Sequence, residues 1–257
     1  MSIFEEVLRG NPRSIGRAIS LVEDGGPGSR ELMRRMRSLP AKALIFGITG
    51  APGSGKSTLV DRLIGVMRES GKRVGVIGVD PSSPFTGGSV LGDRIRMMRH
   101  ASDPGVFIRS MATRGHSGGL ARAAGDAAAI LSAARADVIL VETVGVGQAE
   151  VGVITLADVT LVLLTPGAGD EIQIFKAGIM EIADIFVLNK SDLPGADKLE
   201  AQIRGMLESG GRGASRPPLF RTSAAEGTGI DPLAQEMLRL GAAKKLAIRA
   251  RRRTNSA

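Results

Sequence analysis

Residues 50–57 read Gly-Ala-Pro-Gly-Ser-Gly-Lys-Ser, a full match to G-x-x-x-x-G-K-[ST]. These residue types at this spacing suit one task, holding a chain of phosphates. Gly50, Gly53 and Gly55 let the backbone curl so that its N–H groups face inward, with Ala51, Pro52 and Ser54 completing the loop. Lys56 can reach the β- and γ-phosphates, and the Ser57 hydroxyl, with Thr58 beside it, can ligate Mg²⁺. An apolar run, Ala43–Ile48, precedes the loop and an amphipathic stretch, Leu59–Met67, follows it. That is the strand–loop–helix setting the motif needs, and it implies a bound nucleoside triphosphate.

A second group addresses the base. Asn189-Lys190-Ser191-Asp192 follows the short apolar run Ile185–Leu188. A carboxylate at Asp192 can accept from both the N1–H and the exocyclic amino group of guanine. Adenine presents an acceptor at the corresponding ring position, so the pattern selects GTP and GDP by several kcal/mol. Asn189 is expected to tie this loop to the phosphate loop, and the Lys190 stem to lie on the base plane. Ser223-Ala224-Ala225, after the next apolar run, fits a further contact from backbone N–H to guanine O6.

Acidic residues at strand ends complete the chemistry. Asp80 ends the run Arg73–Val79, and Asp93 follows the Gly-rich Thr86-Gly87-Gly88. With Ser57 they could form the protein side of an octahedral Mg²⁺ site that keeps waters and phosphate oxygens. The plainer alternative is that Asp80 caps a turn and Asp93 caps a helix. Glu142 ends the buried-type run Val138–Glu142, where it could hold a magnesium-bound water or orient the attacking one. Gly145 could meet the γ-phosphate through its N–H, and residues 145–148, Gly-Val-Gly-Gln, could act as a switch. Lys176 could lend charge to the nucleotide in one state, or be a solvated helix lysine. His116 has neither an acid partner in the sequence nor a second His nearby, so a catalytic or metal role is disfavoured.

Seven β-branched runs must position these groups: Ala43–Ile48, Arg73–Val79, Val106–Ser110, Val138–Glu142, Val159–Thr165, Ile185–Leu188 and Leu219–Thr222. They alternate with helical segments and read as strands buried on both faces. The expected fold is α/β, a P-loop NTPase with a mostly parallel sheet, helices on both faces and a short N-terminal helical extension. Ligands in such sheets gather at the carboxyl ends of strands, where the motifs fall. The expected organisation is a helical extension over 1–40, a GTPase domain over 41–241 and a basic tail over 242–257. Within the extension, Asn11-Pro12 reads as a helix start and Gly25-Gly26-Pro27-Gly28 as a break. Residues 210–218 read as a loop.

Composition bounds the partners. The 257 residues contain no Cys, which excludes disulfides, thiolate metal sites and thiol redox chemistry. The opening residues lack a basic-then-apolar leader pattern, so a cytoplasmic location is expected. No apolar run approaches the ~18 residues of a membrane span. The net charge of +8 looks like a nucleic-acid signature, but residues 241–257 hold six Lys and Arg with no acid. The remainder is nearly neutral, and at 3% aromatics with no Trp or Tyr it offers no base-stacking platform. Neither nucleic acid nor membrane is an expected partner. The tail reads as a solvated, frayed end or as a contact for a partner.

Several motifs together resemble the MeaB/ArgK G proteins, a family that takes in the human methylmalonic aciduria type A protein. They are Val79-Asp80-Pro81-Ser82-Ser83, Leu91-Gly92-Asp93, Arg114-Gly115-His116 with Gly118-Gly119-Leu120, residues 142–148, Gly169-Asp170-Glu171 with Gln173, and residues 178–184. The resemblance runs from about residue 3 to residue 240. It implies a GTPase that chaperones a cobalamin-dependent acyl-CoA mutase of the methylmalonyl-CoA mutase type, gating adenosylcobalamin loading and protecting the holoenzyme. By motif match it carries magnesium roles onto Ser57, Asp80, Asp93 and Glu142, and a switch role onto Lys176. Two departures stand out. The family's long C-terminal dimerising arm is replaced by the short basic segment, so at most a weak homodimer is expected. Gln173-Ile174-Phe175-Lys176-Ala177 stands where the family often has Gln-Gly-Ile-Lys-Lys. A metallochaperone GTPase for another metal or cofactor enzyme, and a kinase-like regulator of transport, are the alternatives.

Overall fold

The computed structural model describes residues 1–80, 97–112, 117–143, 156–167, 182–209 and 216–254. Asp93, Gly145, Lys176 and His116 lie outside the described residues, as does the core of the expected loop at 210–215.

All seven expected strands form: β1 (Leu44–Gly50), β2 (Val74–Asp80), β3 (Val106–Ala112), β4 (Val138–Thr143), β5 (Val159–Leu164), β6 (Ile185–Leu188) and β7 (Leu219–Arg221). They make one sheet in the order β3-β2-β4-β1-β5-β6-β7, and every pairing is parallel. β4, β5 and β6 are buried at every residue. Such strands need helices on both faces, which explains their near-continuous apolar sequence.

Alternate residues divide between two cores. On one face Phe46, Ile48, Val138, Leu140, Leu161 and Leu163 pack under α4 (Lys56–Glu69) and α7 (Ile230–Thr254). Gly241 lets α7 close on β1, since a Cβ there would lie 3.3 Å from both Leu44 and Phe46. On the other face Ile77, Val79, Ile139 and Val141 pack under α5 (Ser117–Ala133) and the N-terminal helices α1 (Ile3–Leu8), α2 (Pro12–Glu23) and α3 (Ser29–Arg37). Helix α6 (Ala196–Ser209) covers the β5–β6 end through Leu199 and Ile203.

Asn11 caps α2 with its side chain on the Ser14 N–H, and Pro12 occupies the first turn. Ile15, Ala18 and Ile19 then fall on one buried stripe of that helix. The segment expected as an extension is thus part of a main core. At the other end, α7 runs continuously through the expected boundary at 241/242 to Thr254. No helix among the described residues is long and apolar enough to cross a membrane.

Candidate nucleotide-binding site

The phosphate loop leaves β1 at Gly50 and enters α4 at Lys56. Three of its glycines have positive φ: Gly50 at 153°, Gly53 at 77° and Gly55 at 88°. The last two lie in the left-handed region that disfavours other residues. Gly55 is also sterically fixed, because a Cβ there would stand 2.5 Å from Asn189 Nδ2. A Cβ on Gly50 would meet Leu163 O at 2.6 Å.

Polar groups on the loop are buried. Lys56 and Ser57 are each 6% exposed, and Ser54 is 1% exposed. Lys56 Nζ donates to Gly50 O at 2.8 Å and to Ala51 O at 2.9 Å, so its ammonium is held within the curve of the loop. Ser57 Oγ donates to Glu142 Oε1 at 2.6 Å, joining the first turn of α4 to β4. The next residue of β4, Thr143, donates from Oγ1 to Thr49 Oγ1 at 3.2 Å, so β1 and β4 are also joined by side chains beside the loop.

Asn189 directly follows β6 and is 1% exposed. Its Nδ2 donates to Ser54 O at 2.8 Å. Its Oδ1 accepts from Thr222 Oγ1 at 3.0 Å and from the Ala224 N–H at 3.1 Å. One amide therefore ties the phosphate loop, the end of β6 and the Ser-Ala-Ala loop after β7 into a single frame. The next residue, Lys190, has φ 56°. A non-glycine residue in that region is uncommon, and such strain clusters at binding sites. The Ser191 N–H donates to Thr222 O at 3.0 Å, which sets Asp192 beside the Ser-Ala-Ala loop.

Asp192 is exposed, and its carboxyl is held below the ordinary range. The Ser223 hydroxyl is the largest cause, followed by Asp192's own backbone N–H; the charge of Lys190 adds to them and burial opposes them. That hydroxyl falls short of full hydrogen-bond geometry, yet stands close enough to favour the ionised form.

Composition and motif reading missed Arg62. From α4 its Nε donates to Ala224 O at 2.9 Å and Nη2 to Ala225 O at 2.6 Å. The chain's many arginines hide it, and no local sequence signal marks it. The sequence marks Thr222 only as the end of a strand.

The structure therefore brings Gly50–Ser57, Glu142, Asn189–Asp192 and Ser223–Ala225 to the carboxyl edge of β1, β4, β6 and β7. Asp80 ends β2 on that edge, in register with Ala112. Among the described residues no cluster of three or more Asp, Glu, His or Cys could enclose a metal. A hydroxyl and a carboxylate oxygen 2.6 Å apart do suit a hard cation that takes its other ligands from water and phosphate.

A family model for "Methylmalonyl Co-A mutase-associated GTPase MeaB" matches residues 15–257. A Pyrococcus abyssi protein whose name carries the word GTPase is 52% identical over 235 residues, covering 90% of this chain and 72% of its own. The mouse "Methylmalonic aciduria type A homolog, mitochondrial" is 36% identical over 247 residues, covering 89% of this chain and 60% of its own. A crystal structure described as LAO/AO transport system kinase superposes with a TM-score of 0.74 at 25% identity, covering 99% of this chain and 82% of that one. The chain belongs to the MeaB family of methylmalonyl-CoA mutase-associated GTPases, and it is a P-loop GTPase.

Proposed function

We propose that this MeaB-family GTPase is the GTP-driven chaperone of a cobalamin-dependent acyl-CoA mutase of the methylmalonyl-CoA mutase type, gating adenosylcobalamin loading and protecting the holoenzyme. The family description and the name of the mouse relative support the choice of partner. The observation that carries the nucleotide half is the Asn189 side chain, whose three hydrogen bonds hold the phosphate loop against both guanine-facing loops. A base and its phosphates are then read by one rigid unit.

In this reading the N–H groups of the loop around Gly53–Thr58 cradle the phosphates, and Lys56 turns from its two carbonyls to them. Asp192 accepts the two guanine donors, the Lys190 stem covers the base, and the Ser223-Ala224-Ala225 loop meets O6 through the Ala225 N–H, the Ala224 N–H being held by Asn189. Ser57 and Glu142, with Asp80 and Asp93, would hold Mg²⁺; when bound, it neutralises charge on the β- and γ-phosphate oxygens. Glu142, once released from Ser57, also orients water near the γ-phosphate. Gly145 and Lys176 are assigned to the switch by motif. A cytoplasmic setting and weak self-association through the GTPase domain complete the proposal.

Intrinsic hydrolysis is expected to be slow, ~10⁻⁴–10⁻² s⁻¹, as for unassisted switch GTPases. The test is single-turnover GTP hydrolysis with and without the mutase, run beside adenosylcobalamin loading. Faster hydrolysis with the mutase and GTP-dependent loading are expected. No stimulation, and loading indifferent to GTP, would reject the chaperone role while leaving the GTPase intact.

A further inference from the structure

On the sheet face opposite α4 and α7, a hollow of about 620 Å³ opens between α3 and α5. Arg30, Arg34 and Arg37 line it from α3 and Arg122 from α5, over a partly apolar floor of Val22 and Met33. Its three acids, Glu23, Asp24 and Asp126, are all engaged. Glu23 pairs with Arg109 of β3, and Asp126 accepts from Arg37 Nη2 at 2.5 Å. Arg34 pairs with Glu31 across one helical turn. Arg30 and Arg122 make no hydrogen bond or ion pair among the described residues, so the cleft keeps an uncompensated cation on each wall.

A small-molecule site encloses most of its ligand. This hollow does not: its rim arginines Arg34 and Arg37 have side chains 75% and 61% exposed. Arginines rimming an open, partly apolar floor are instead the composition of a protein interface. The charge of the layer agrees, since residues 1–42 carry eight Lys and Arg against five Asp and Glu. We infer that the α3–α5 cleft is a docking surface for an acidic, leucine-bearing segment of a partner protein, with Arg30 and Arg122 clamping carboxylates from opposite walls. Charge complementarity fixes this occupant, and the inference stands without the identity of the partner proposed above.

The test uses the full chain saturated with GDP and a fluorescein-labelled twelve-residue peptide of alternating Glu and Leu, followed by anisotropy. The native chain should bind the peptide, more weakly at ~0.3 M than at ~0.05 M salt. Arg30→Glu with Arg122→Glu should cost ~10-fold or more, and the milder Arg30→Gln with Arg122→Gln an intermediate loss. Lys198→Glu, an exposed reversal on α6, should change affinity less than ~2-fold. GTP turnover and the melting temperature serve as fold controls for each variant. No binding by the native chain, or an equal loss in Lys198→Glu, overturns the inference. So does displacement of the peptide by an equal concentration of inorganic pyrophosphate, which would make the cleft a small-anion site.

Discussion

In the proposed reading, Asp192 would concentrate the selectivity of the site in one carboxylate. Its folded pKa is depressed, chiefly by the Ser223 hydroxyl, with its own N–H and Lys190 adding to it. A depressed carboxyl keeps its charge below the ordinary Asp value and loses it only as pH falls through the lowered one. Guanine affinity resting on that charge should therefore be flat from about pH 8 to about pH 5 and fall in stronger acid. Ser223→Ala removes the largest cause, so the fall should move to higher pH. Calorimetry with GDP across that range checks the direction. Asp192→Asn replaces an acceptor pair with a mixed donor and acceptor. GTP affinity should then drop ~100-fold, about two charge-assisted bonds, while xanthosine triphosphate gains. Equal affinity of the native chain for ATP and GTP would remove the base-reading role altogether.

At the scale of elements, the frame is held by contacts between segments far apart in sequence. Arg62 joins α4 to the Ser-Ala-Ala loop through two carbonyls, at Ala224 and Ala225. Fixing those carbonyls orients the peptide units that the proposed reading turns toward guanine. Arg62→Ala should therefore weaken GTP binding ~10-fold with little change in denaturation midpoint, because the side chain is only partly buried. Arg62→Lys keeps the charge but loses the two-pronged geometry, and should recover little of it. Unchanged GTP affinity in Arg62→Ala would mean that the loop holds its shape without α4.

The strands were legible because each is a β-branched run buried on both faces, and the seven runs land where they were read to within two residues. The tie from Asn189 to the phosphate loop was legible too, since the residue types at a strand end allow few other partners. Arg62 was not, because nothing in local sequence distinguishes a helix arginine facing a loop 162 positions away from one facing water. The continuation of α7 past Gly241 was hidden for another reason. Ala, Leu, Lys and Arg are all good helix formers, but a block of six like charges without an acid also reads as a solvated end.

For the whole molecule, the contacts of the basic segment of α7 lie at one end of the sheet. Lys244 pairs with Asp184, one residue before β6, and Lys245 donates to Ala43 O, one residue before β1. Both anchors are at the amino edge of a parallel sheet, whereas the nucleotide loops are at the carboxyl edge. A seven-residue strand such as β1 separates them by about 20 Å. The start of the basic segment, at Lys244 and Lys245, is thus held against the body, at the edge of the sheet opposite the phosphate loop. Deleting residues 244–257 removes the Lys244–Asp184 ion pair, with side chains 43% and 26% exposed, and the Lys245 tie to Ala43 O. Exposed pairs contribute about 0–1 kcal/mol. The truncated chain should melt about 2–4 °C lower and hydrolyse GTP at the native rate. It should also show a weaker salt dependence of self-association in light scattering, since the deletion takes all six cations of the last seventeen residues. Scanning calorimetry and single-turnover hydrolysis on the same preparation decide the matter. A native melting point would mean that the two ties are idle in solution. Lost turnover would mean that the amino edge of the sheet is coupled to the nucleotide through β1.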